Sequence, residues 1–155
     1  MYDLRRALSH VAFVLALVLV GADRVEAAGC TISTTGVVFG SYNVFSTSPV
    51  DSTGTIVYRC NGEVDGVMIA ITRGQSSTFL PRQLEKGNEE LSYNLFRDAA
   101  RTVVWGDFSG GTSGYIQIDP PKNQNVSLTV FGRIPPGQDV AAGSYSDTVT
   151  VVVLF

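Results

Sequence analysis

Cys30 and Cys60 are the two cysteines of the chain, thirty positions apart. Such a pair can close a disulfide, hold half of a metal site or supply a nucleophile, and the other residues decide among these. The one histidine is His10. It lies in an N-terminal segment that reads as removable. The remainder then has no imidazole for a triad, a His–carboxylate pair or most zinc sites. Asp98, Asp107 and Asp119 are separated by turns, and nothing in their spacing sets two at catalytic distance. Glu85, Glu89 and Glu90 read as a solvated acidic loop. Asp51-Ser52-Thr53-Gly54 reads as a turn, since the ligand spacing of a calcium loop is missing. The glycine-rich stretch 106–114 lacks the lysine and following helix of a phosphate loop and reads as a mobile hairpin loop. Asn125-Val126-Ser127 matches a glycosylation sequon by chance. Trp105 can stack on a sugar or fill a core. This inventory holds no catalytic set and implies no enzyme activity, cofactor or metal.

The segment that carries His10 has the anatomy of a targeting signal. Arg5 and Arg6 precede ten apolar residues at 11–20, and Val25-Glu26-Ala27 offers a cleavage site. Residues 1–27 read as a signal peptide cut after Ala27, with a cut after Ala22 as the alternative. The apolar run is too short for a bilayer, which needs about 20 residues. No second span follows, so the mature part, 28–155, is expected to be exported without a membrane span. In an oxidising compartment, Cys30 and Cys60 are expected to pair. Closing that loop stabilises by about 3–4 kcal/mol in the chain-entropy view.

Composition narrows the class further. The 155 residues are 45% hydrophobic and 16% charged, with a net charge of −3. Disorder needs the opposite balance. A mildly acidic chain also lacks the electrostatic footprint of a nucleic-acid partner.

The positioning elements read as β-strands throughout. Short apolar or alternating runs lie at 31–33, 37–39, 54–60, 67–72, 91–96, 102–105, 115–118, 125–134 and 144–155. Turn signals such as Asn61-Gly62, Gly106-Asp107 and Pro135-Pro136-Gly137 separate them. Helical spacing is absent, apart from a single turn conceivable over 83–90. This pattern predicts one all-β domain built as an antiparallel sandwich. Residues 149–155 are apolar, uncharged and β-prone, a hazard on an exposed sheet edge. Either the segment is a central strand paired on both sides, or its neighbour comes from another molecule by strand addition.

Several motifs in order carry a resemblance: Gly29-Cys30-Thr31-Ile32, Val38-Phe39-Gly40-Ser41-Tyr42, Ile56-Val57-Tyr58-Arg59-Cys60 and Leu91-Ser92-Tyr93-Asn94-Leu95-Phe96-Arg97-Asp98. Val104-Trp105-Gly106-Asp107, Val130-Phe131-Gly132-Arg133-Ile134-Pro135 and Ala142-Gly143-Ser144-Tyr145-Ser146-Asp147-Thr148-Val149 complete the succession. It resembles the spore coat protein U family, which includes subunits of archaic, Csu-type chaperone–usher pili. The resemblance implies an incomplete immunoglobulin-like β-sandwich lacking its last strand. It implies a periplasmic chaperone, an outer-membrane usher and other pilus or coat subunits as partners, with passage through the periplasm to the cell surface. Alternation puts Val149, Val151, Val153 and Phe155 on one face. In such a subunit this face would line the acceptor groove and serve the chaperone as a handle. The rival reading is a monomeric exported module binding carbohydrate through Trp105 and nearby loops.

One departure stands out. Only Ala28-Gly29 separates the favoured cleavage site from Cys30. A donor strand with about five alternating anchors needs roughly ten residues. The chain is therefore expected to accept a strand but not supply one, as a terminal subunit or a coat protein would.

Overall fold

The computed structural model describes residues 29–155, so the segment read as a signal peptide lies outside the described residues. Eight strands follow in order. They are β1 (Gly29–Thr35), β2 (Val50–Asn61), β3 (Gly66–Ile71), β4 (Arg82–Lys86), β5 (Glu89–Phe96), β6 (Tyr115–Ile118), β7 (Asn125–Ile134) and β8 (Val151–Leu154). One sheet has the order β1-β2-β7-β5-β4, the other β6-β3-β8, and every strand pair is antiparallel. The all-β antiparallel architecture read from the strand pattern is the one observed.

Alternation explains which side chains meet between the sheets. Ile56, Tyr58 and Cys60 of β2 are buried while Thr55, Val57 and Arg59 turn the other way. On β3, Val67, Ile69 and Ile71 point inward. With Leu91, Tyr93, Leu95, Val130, Ile134 and Trp105 they form one core. Burying a large apolar side chain stabilises by about 1.5–3 kcal/mol.

Five local expectations change. Residues 51–54 are not a turn but the start of β2, paired with Arg133, Gly132, Phe131 and Val130 of β7. Asp51 there accepts from both Arg133 Nε (2.7 Å) and Nη2 (2.8 Å), so cross-strand pairing overrides the turn chemistry of Asp-Ser-Thr-Gly. Residues 83–90 hold no helical turn; β4 and β5 make a hairpin whose bend uses Gly87 at φ +62°. Glu85, Glu89 and Glu90 accordingly sit in strands rather than in a loop. Residues 102–105 form isolated bridges, Phe96 with Val104 and Trp105 with Ser113, instead of a strand. In the last segment only β8 is regular; before it, Ser146 bridges Glu85 of β4.

Candidate functional site

The run 149–155 meets the rest of the protein along one seam. Its β8 part pairs with β3 in the register Ile71↔Val151, Ala70↔Val152, Ile69↔Val153 and Met68↔Leu154. Among the described residues, β8 has no strand on its other side, and β1 likewise pairs only with β2. Those two edges and the segments beside them flank a cleft between the sheets.

The cleft comprises two cavities of about 290 and 900 Å³ that share Val37, Leu84 and Asp147 on their walls. The smaller reaches the core: Ile56, Ile71, Tyr93, Leu95 and Val130 line it, together with Val149 and Val151. The larger lies between residues 37–44 and 140–147. Of the residues singled out by alternation, Val149, Val151 and Val153 are half-buried and packed on the core. Phe155 is 60% exposed and rests beside Gly29 at the start of β1. The opposite face of β8 carries Val152 and Leu154 outward.

Cys30 and Cys60 face each other across the β1–β2 pair and are joined by a disulfide with an S–S distance of 2.05 Å. The bond ties the edge strand to its single neighbour, near the end of the seam where Phe155 rests. Past Thr35 the chain leaves the sheet. Val37 and Phe39 turn inward, half-buried, and Phe39 packs edge-on against Tyr93 with centroids 5.9 Å apart. Among the described residues, 37–42 make no main-chain to main-chain hydrogen bond; Val38 O accepts from Ser52 Oγ at 2.6 Å. The apolar run that suggested a strand at 37–39 does turn alternate side chains inward, but among the described residues no strand pairs with it.

Polar contacts fix the opposite wall. Tyr93 Oη donates to Asp147 Oδ2 at 2.6 Å, and Gln75 N donates to Asp147 Oδ1 at 3.0 Å. Burial, then the hydrogen bond to Asp147, pushes the Tyr93 phenol well above its ordinary value, so it stays a donor. Glu89 accepts from Ala141 N and Tyr145 Oη, both at 3.1 Å, and the first of these bonds holds its carboxyl below the usual range. Behind this wall Arg82 is wholly buried. It donates to Thr72 O through Nε (3.1 Å) and Nη2 (3.0 Å), to Trp105 O (2.7 Å) and to Asn94 Oδ1 (2.8 Å). Thr72 in turn exchanges main-chain and Oγ1 contacts with Thr150, next to β8. A buried guanidinium thus anchors the free-edged strand two contacts away.

The meeting of Tyr93 with Asp147 and the burial of Arg82 have no counterpart in the sequence pattern. Tyr93 and Asp147 stand in motifs quoted above, yet only the fold shows that they meet. Arg82 carried no local signal. Trp105 is 2% exposed and donates Nε1–H to Ile69 O at 3.1 Å. Its ring is core, so it cannot stack on a sugar, and the carbohydrate reading loses its anchor. Stretch 106–114 closes on itself through Gly106 N to Ser113 O (2.8 Å).

Comparison with known proteins agrees with this architecture. The chain is 29% identical over 130 residues to Protein U of Myxococcus xanthus, a match covering 84% of this chain and 64% of that protein. The chain therefore spans a little under two thirds of the curated relative's length. Among solved structures it resembles the CsuC–CsuE chaperone–tip adhesion subunit pre-assembly complex from archaic chaperone–usher Csu pili of Acinetobacter baumannii. That likeness has a TM-score of 0.50 and 25% identity, over 83% of this chain and 40% of that one. The E. coli Hda pilus minor tip subunit, HdaB, aligns at a TM-score of 0.42 and 16% identity, covering 79% of each chain. The profile of the Spore Coat Protein U domain matches residues 16–152, nearly the whole sandwich, and the chain belongs to that family.

Proposed function

We propose that this chain is an exported structural subunit of a chaperone–usher fibre or related surface coat, and that its cleft receives a β-strand from a partner. The observation that carries the reading is β8: an uncharged strand with a free edge, inward valines and a cleft that opens onto core side chains. An added strand pairs through its main chain and fills such a cleft with alternate side chains. Val149, Val151 and Val153 form the receiving face of this groove. A periplasmic chaperone occupies it first, an outer-membrane usher exchanges the occupant, and a neighbouring subunit's strand replaces it at the cell surface. The likeness to a chaperone–tip subunit pre-assembly complex supports a chaperone as the first of these partners.

The test is a thermal melt of the mature chain with a peptide of alternating valine and threonine, about ten residues long. A ligand of the folded state at a hundred times its Kd adds about 2.7 kcal/mol. The melting temperature should rise by roughly 10 °C. No rise at saturating peptide removes the strand-acceptor reading.

A further inference from the structure

The strand that enters this cleft must fit against Val37 and Phe39, and two glycines decide where those side chains lie. Gly54 of β2 and Gly132 of β7 stand in adjacent strands, opposite Val130 and Ser52. A Cβ on Gly132 would lie 2.6 Å from Val37 Cγ1 and 2.8 Å from Phe39 Cζ. A Cβ on Gly54 would lie 2.6 Å from Thr35 O and 3.0 Å from Val37 Cγ2. Interior glycines of a strand commonly mark such a close approach. They weaken a strand by roughly 0.5–1 kcal/mol relative to alanine, so their presence here needs a compensating use.

Resting on the strand-acceptor reading, we infer that Gly132, aided by Gly54, is a specificity-determining position. It seats the 37–39 wall against the sheet and so sets the size of side chain that the cleft admits. A methyl at residue 132 would push Val37 from 2.6 Å to the 3.4 Å of an ordinary contact, a displacement of 0.8 Å. Valine is stiff at χ1, so the wall moves rather than the rotamer. The displacement is directed off the sheet into the cleft, whose smaller cavity of about 290 Å³ has Val37 on its wall. Val37→Ala acts in the opposite sense, because it removes two methyls from the same wall.

The experiment measures Kd of the alternating valine–threonine peptide, and of versions carrying alanine or leucine at each valine in turn, for three proteins: the native chain, Gly132→Ala and Val37→Ala. At one valine position, Gly132→Ala should shift the ratio of affinities toward alanine by about tenfold, the worth of a methylene in an apolar pocket. Val37→Ala should shift it toward leucine at that same position. A merely structural role for Gly132 would weaken all peptides alike and leave the ratios unchanged. Identical ratios in all three proteins overturn the inference while leaving strand acceptance intact. If Gly132→Ala does not fold, the Val37→Ala ratios decide alone. If no peptide binds the native chain, the strand-acceptor reading itself falls, and this inference with it.

Discussion

Replacing Arg82 by methionine tests how the free-edged strand is held. The guanidinium is wholly buried, and burial drives its pKa down, so the surroundings must repay a desolvated charge. They do so with the carbonyls of Thr72 and Trp105 and with Asn94 Oδ1. Methionine fills similar space but leaves Thr72 O and Trp105 O without the donor. Each unpaired carbonyl costs about 1–3 kcal/mol, together about 2–6 kcal/mol. Removing the charge recovers part of that, since apolar replacement of buried ionic groups can be nearly neutral. The expected net loss is about 2–4 kcal/mol, against roughly 6–19 kcal/mol for a domain of this size. Calorimetry should show the melting temperature falling by about 10 °C. Arg82→Lys should recover less than half, because a point charge cannot fork to three acceptors. A methionine variant melting with the native protein would refute the reasoning, for it would mean that packing replaces the network at no cost.

Val151→Asp places a carboxylate in the cleft at a cost of several kcal/mol, and should yield aggregated or degraded protein. Val152→Asp, on the outward face, should stay soluble; normal yields of folded Val151→Asp monomer without a chaperone would contradict the cleft assignment. The oxidised protein should weigh two hydrogens less than the reduced chain. Removing the Cys30–Cys60 bond should lower its urea-derived stability by about 3–4 kcal/mol for a separation of 30 residues. Asp98 accepts from Val103 N (2.8 Å) and Thr102 N (3.0 Å), and the Val103 bond foremost holds its carboxyl below the ordinary 3.8. A depressed folded pKa means stability present above 3.8 and lost as pH falls through the folded value. The melting temperature of Asp98→Asn should depend less on pH in that window; an unchanged slope would count against the assignment.

Local pattern made much of this fold legible. The run 125–134 became β7, and the alternation at 54–60 became the buried face of β2, because period-2 patterning is a local property. What stayed hidden was non-local. Asp51-Ser52-Thr53-Gly54 has turn chemistry and was captured by β7, whose partner residues lie some eighty positions away. Arg82 reads as a surface charge until Thr72 O, Trp105 O and Asn94 Oδ1 converge on it. At the cleft, alternation singled out Val149, Val151, Val153 and Phe155 because a strand shows its faces in sequence; the three valines are half-buried and Phe155 is exposed. It gave no sign of Gly132, whose meaning depends on Val37 crossing over it. Trp105 stood between core and sugar platform, a choice that only its burial resolves.

Amide hydrogen exchange along Val151–Leu154 tests the central claim most directly. Amides turned toward β3 should be protected in the chain alone, and those turned toward the cleft should exchange fast. Saturating valine–threonine peptide should slow the cleft-facing amides by about tenfold or more and leave the β3-facing ones as they were. Strand addition at β8 is contradicted if the cleft-facing amides exchange equally fast with the peptide bound.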